Sequence, residues 1–143
     1  MSASAIPAVT AAIESRLTAL QATTLVGVTI SRGAPEEPPQ EWVVLGDASA
    51  SREYRALSTN PPLDETIRLN LSTGVVKLGD TFSAAETRAF ALMDIVEGSL
   101  RSDLSLGDTW LYGRLTSIER TYIPVDQGRA VQITFVVEGR AHI

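Results

Sequence analysis

The chain has 143 residues, a formal net charge of -5 and no cysteine. That length suits one domain spanning 1–143 with its own core. The lack of cysteine excludes disulfides, thiolate nucleophiles and cysteine-based zinc sites, and the acidic balance, with a pI near 4.8, argues against a general nucleic-acid binder or docking on an anionic membrane. Lys77 is the only lysine. The other cationic side chains are arginines, which suit planar contacts with carboxylates at interfaces. A GC-rich genome would produce the same bias. Residues 1–7 lack the charged and apolar regions of a signal peptide. No apolar run approaches the ~18 residues of a membrane helix. The chain is therefore expected to be made and used in a cytoplasm, its own or a host's.

In chain order, Ile6, Val9, Ile13, Leu17 and Leu20 recur at helical spacing and predict an amphipathic helix. Ser4 is placed to cap it, and Pro7 lies in the first turn, where a missing N–H costs nothing. Val26, Val28 and Ile30 alternate, so Leu25–Ile30 reads as a strand. A loop over 31–41 follows, carrying Glu36 and Glu37 among three prolines that bar regular structure. Trp42–Leu45 reads as a short strand ended by Gly46 and Asp47. Residues 48–62 read as a second irregular loop, closed by Pro61 and Pro62. Glu65–Leu71 alternates cleanly, with Ile67, Leu69 and Leu71 turned inward. Residues 73–80 read as a turn or short strand.

Ser83-Ala84-Ala85-Glu86 is a capping-box pattern that predicts the start of a second helix. Its apolar stripe is Ala85, Ala89, Leu92, Met93, Val96 and Leu100, and Gly107 is its expected stop. Leu111–Ile123 and Ala130–Gly139 read as two long strands joined by a turn over 124–128. In the second of them, Val131, Ile133, Phe135 and Val137 alternate with Gln132, Thr134, Val136 and Glu138, which gives it one solvated or partner-facing side. The order of elements predicts an α+β fold: a mixed, mainly antiparallel sheet flanked by two helices.

Little in the sequence supports catalysis. His142 is the only histidine and lies one residue from the end of the chain, where strands commonly fray. No nucleophile elbow, calcium loop or phosphate-binding glycine motif is present. The second helix carries Asp94 and Glu97 three apart, a spacing that also describes an ordinary solvated face. A small hydrolase or ligand-binding domain would need a deep pocket holding Asp94, Glu97 or Asp64. No enzymatic activity, metal or cofactor is expected. Trp42, Trp110, Tyr112 and Tyr122 could stack bases, but the acidic balance favours core packing or an interface. Trp110-Leu111-Tyr112 is apolar on both strand faces, which leaves open either a partner chain or two-sided burial.

Three stretches resemble the tail-terminator proteins of long-tailed (siphovirus-type) bacteriophages. They are the amphipathic helix over 5–21, the strand over 64–71 with the helix over 82–100, and the closing strand Ala130-Val-Gln-Ile-Thr-Phe-Val-Val-Glu-Gly-Arg-Ala. The resemblance is one of pattern. It implies a virion structural protein at the head–tail junction that forms a homo-hexameric ring on the head-proximal end of the tail tube. Such a ring stops tube polymerisation and offers a head-joining surface. The implied partners are further copies of the chain, the major tail tube protein and a head-completion (stopper) protein. DNA would pass through the lumen without being read by sequence. Glu36 and Glu37 on one side, and Arg114, Arg120, Arg129 and Arg140 on the other, are candidate complementary charges. Trp110 and Tyr112 are candidate apolar contacts. A head-completion or tube subunit is the alternative within the same assembly.

Overall fold

The computed structural model describes residues 4–33, 40–54, 63–78, 82–102, 110–125 and 128–142. In chain order the elements are α1 (Ile6–Leu20), β1 (Thr29–Arg32), β2 (Glu41–Tyr54), β3 (Leu63–Leu78), α2 (Phe82–Ser102), β4 (Leu111–Val125) and β5 (Gly128–His142). The strands form one five-stranded sheet in the order β1-β2-β3-β5-β4. β1 runs parallel to β2, and every other pair is antiparallel. The fold is the expected α+β arrangement. A proline at the start of α1 sits where the helix has no use for its N–H.

The core follows from two periodicities. Ile67, Leu69, Leu71 and Val75 of β3 alternate onto the same face as Val131, Ile133, Phe135 and Val137 of β5, and all are buried. Val9, Ile13 and Leu17 of α1 and the full expected stripe of α2 close over them. α1 lies against β1 and β2, while α2 lies against β3, β5 and β4. Burying one side chain of the size of Leu71 or Phe135 is worth about 2–3 kcal/mol. The opposite face is mixed: Arg68 and Asn70 are exposed, and Ser72, Gln132, Thr134 and Glu138 are half-buried beside Trp42, Val44, Val76 and Val136.

Several local expectations need correction. The segment 25–30 is not one strand. Residues 21–27 form turns, Gly27 has φ 78°, and Leu25 N–H donates to Leu20 O at 2.9 Å. A left-handed residue cannot continue a pleated strand, so only Thr29–Arg32 pairs with β2. The loop expected at 31–41 is narrower. Ser31 and Arg32 belong to β1 and Glu41 opens β2, while 34–39, with Glu36 and Glu37, lie outside the described residues.

The irregular segment expected at 48–62 is strand up to Tyr54, and 55–62 lie outside the described residues. Gly46 and Asp47 do not end β2. They form a bulge that shifts the register between Leu45 and Ala48. The extra residue resets the alternation, so Ala48 and Ala50 pair with Leu69 and Ile67 and share their face. Residues 73–78 extend β3 rather than turning. Gly74 is needed there, because a Cβ would sit 2.0 Å from the Trp42 ring.

At the helix starts, Ser4 caps α1 as expected but with a partner the sequence did not show, and α2 departs from expectation. Ser4 accepts the Ile6 N–H at 3.1 Å, but Ser4 hydroxyl and Ala5 N–H both donate to Glu65 Oε1, at 2.9 and 2.8 Å. A carboxylate from β3 therefore caps α1, satisfying orphan donors and complementing the helix dipole. In α2 the helix already begins at Phe82, and the Glu86 carboxylate accepts from Arg120 and Tyr122 instead of closing a capping box. Residues 103–109, including Gly107, lie outside the described residues. His142 is not frayed in its backbone: it pairs with Asp64 at the end of β5.

Candidate interface along the fourth strand

β4 is 15 residues long and forms one edge of the sheet. Its register with β5 shifts twice, between Tyr112 and Arg114 and between Leu115 and Ser117. Each bulge adds an unpaired residue and twists the edge. Three of the four exposed large hydrophobics among the described residues lie on this strand: Leu111 at 59%, Ile118 at 49% and Tyr122 at 42%. The fourth, Val26, lies in the turn before β1.

The two ends of β4 are held differently. At its start, Trp110 and Tyr112 are buried and turned toward the helices. Trp110 packs flat on Gly139, where a Cβ would meet its ring at 2.4 Å, and its Nε1–H has no partner among the described residues. Tyr112 donates to Glu97 Oε2 at 3.1 Å, and Arg101 pairs with the same carboxylate at 2.6 Å. Burial pushes the Tyr112 phenol well above its ordinary value, and the Glu97 charge and hydrogen bond add to that shift. The run 110–112 thus resolves into two inward aromatics and one outward leucine.

Toward the other end, four side chains stack. Arg120 donates to Glu86 Oε1 at 2.6 Å and lies 4.4 Å above the Tyr122 ring. Tyr122 donates to Glu86 Oε2 at 3.2 Å, and its ring centroid is 4.5 Å from that of Phe82. The Arg129 guanidinium lies over the Phe82 ring, 5.4 Å from its centroid. The Arg120 hydrogen bond holds the Glu86 carboxyl below its usual value, against a small opposing effect of burial, and Tyr122 lowers it further. Glu86 in turn raises Arg120. These groups are exposed, so their value lies in holding a fixed surface geometry more than in stability.

Of the remaining candidate residues, Arg114 and Arg140 are exposed and border a shallow depression of about 210 Å³ with Leu111, Gly113 and Glu138. A second depression of about 370 Å³ joins Arg114 to Glu97, Arg101 and Leu115. Both are open troughs beside the first bulge. The carboxylates of the hydrolase alternative are not gathered here. Asp94 is exposed, Glu97 is occupied by Arg101 and Tyr112, and Asp64 faces the side of β3 opposite to Glu65. Among the described residues no group of three His, Asp or Glu is placed to hold a metal ion. Among the described residues no helix is long and apolar enough to cross a membrane.

Glu65 and Arg88 make charged contacts that escaped the sequence reading. Glu65 is 1% exposed and meets Arg52 at 3.0 Å besides capping α1. Its signal was available, because Glu65 shares the parity of Ile67, Leu69 and Leu71 and so had to point inward. Arg88 of α2 donates to Glu41 of β2 from Nε and Nη2, at 2.8 and 3.1 Å, and that hydrogen bonding raises the arginine above its ordinary value. Partners 47 residues apart leave no local spacing to read.

The class defined by this architecture is an α+β domain with one mixed sheet, both helices on one face and an uncovered strand edge. No protein-family model and no curated protein matches the chain. Among solved structures it is similar to a chain of the virion of a native gene transfer agent particle. That similarity has 20% identity, covers 93% of each chain and gives a TM-score of 0.47.

Proposed function

We propose that the chain is a structural protein of a long-tailed, phage-type particle and serves as its tail terminator. Copies of it form a hexameric ring on the head-proximal end of the tail tube. The ring halts tube polymerisation and presents the surface to which a head-completion protein joins. The observation that carries this reading is the edge of β4, where Ile118 and Tyr122 are exposed on the helix side and Leu111 on the other, along a strand with no outer partner among the described residues. A domain with one covered face, one mixed face and one hydrophobic edge has the separate surfaces that a ring subunit needs. The sequence resemblance supplies the kind of assembly, and its stretches fall on α1, on β3 with α2, and on β5.

A tube-elongation assay tests the role. Purified chain added to polymerising tail tube protein is expected to stop growth at substoichiometric amounts, narrowing the length distribution seen by negative stain. Growth that continues unchanged contradicts the proposal. Incorporation along the tube, instead of arrest, would favour a tube subunit.

A further inference from the structure

As the last strand of the sheet, β4 has no partner among the described residues on the side away from β5. Exposed edges are ordinarily blunted by bulges, proline or charged side chains, and here the one inward charge, Arg120, is already neutralised by Glu86. In β4 both bulges fall before Ser117, and the proline comes only at 124. Between them, Ser117–Ile123 is regular and contains neither lysine nor proline. Ile118 and Tyr122 stand out from this stretch, and Tyr122 and Arg120 are already fixed by Glu86 and Phe82. Little side-chain freedom remains for them to lose on contact. Among the described residues the opposite end of the sheet is also incomplete. β1 covers β2 only from Trp42 to Leu45, and Ser49–Glu53 are exposed beyond it.

We propose that these two edges meet between copies: Ser117–Ile123 of β4 pairs with Ala48–Glu53 of β2 in a second copy of this chain. Strand direction fits. β4 is antiparallel to β5, β5 to β3, and β3 to β2, so β4 runs opposite to β2. Copies related by rotation about an axis along the strands keep that relation and meet in an antiparallel junction. Side-chain size fits as well. On the helix side of the sheet β4 offers Ile118 and Tyr122, while β2 offers Ala48 and Ala50. Each of the two segments carries one acid and one base, Glu119 with Arg120 in β4 and Glu53 with Arg52 in β2, so no net charge opposes the contact. The contact is head-to-tail, so it propagates until rotation closes it. It rests on the proposed function only in that copies assemble with one another.

Sedimentation of the full chain over a concentration series tests the pairing. The wild type is expected to form an assembly of fixed size from its 15.3 kDa subunits. Ile118→Lys and Ala50→Lys are each expected to lose it and sediment as monomers. Mixed together they are expected to give a dimer and nothing larger, because each retains the edge the other lacks. Val26→Lys, which is 63% exposed and outside both strands, is expected to assemble normally. A wild type that stays monomeric throughout, an Ile118→Lys chain that assembles normally, or a mixture that fails to dimerise overturns the proposal. Assembly by Ala50→Lys alone overturns it too, and points to β4 pairing with β4. Chains that assemble through these edges yet leave tube growth unchanged overturn the tail role alone. Monomers that halt tube growth overturn the edge pairing alone.

Discussion

Replacing Glu65 tests how α1 is attached to the sheet. The carboxylate accepts from Ser4 and Ala5 with one oxygen and from Arg52 with the other. Glu65→Ala removes two hydrogen bonds to a charged acceptor, each worth about 1.5 kcal/mol. The Arg52 pair adds only a few tenths of a kcal/mol, roughly, because that guanidinium is half-exposed and screened. The expected loss is about 3 kcal/mol, or roughly 10 °C in Tm for a domain of this size. Burial alone pushes the Glu65 carboxyl up, but the Ala5 N–H, Arg52 and Ser4 outweigh it and hold it below its ordinary 4.5. A carboxyl depressed in the folded state stabilises fully above its unfolded value, and that contribution fades as pH falls through the folded one. Glu65→Gln, which keeps the shape and loses the charge, should therefore be less stable than wild type at pH 7. The gap should narrow steadily below about pH 4.5. Urea unfolding of both chains from pH 7 to pH 3 measures it. A Glu65→Gln chain equal to wild type at neutral pH, or a gap that does not change with acid, refutes the reasoning.

Other outcomes follow from the same contacts. Gly139→Ala should destabilise by about 1–3 kcal/mol in urea, because its Cβ would meet the Trp110 ring and the backbone oxygen of Leu111. Gly74→Ala should cost less, since Trp42 is half-buried and its ring has room to swing outward. Phe135→Ala should cost about 3–5 kcal/mol, from a fully buried ring at the centre of the sheet. In an ultraviolet titration, Tyr112 should stay un-ionised past the ~10 of a free tyrosine. Tyr112→Phe should then lose no absorbance change near that pH, whereas a smaller change would show that Tyr112 titrates normally.

Much of this fold is legible wherever one periodicity runs unbroken. The α2 stripe and the alternation in β3 and β5 name the core, because each element buries a single face throughout. Legibility fails where the phase is reset. The bulge at Gly46–Asp47 shifts β2 by one residue, and the strand beyond it is built of Ser, Ala, Arg and Glu, which carry no apolar rhythm. Gly27 likewise breaks an alternation that valines on either side appear to continue. Along β4 and at the start of β5 the sequence marks Trp110, Tyr112, Arg120 and Arg129 but not their roles. The first two turn into the core, whereas Arg120 and Arg129 stack on Tyr122 and Phe82. Arg120 and Tyr122 are neighbours on one strand, but Glu86 and Phe82 of α2 and Arg129 of β5 reach them only through the fold. Glu65 could have been read from parity alone, as a charge in an inward position that needs partners.

The central claim is that copies of this chain close into a ring on the end of a tail tube. Cryo-electron microscopy of tubes mixed with the full chain tests it most directly. The account predicts a single ring of six copies at one end of each tube, with β4 of every copy at a subunit junction. Bare tube ends, or copies scattered along the tube wall, contradict it.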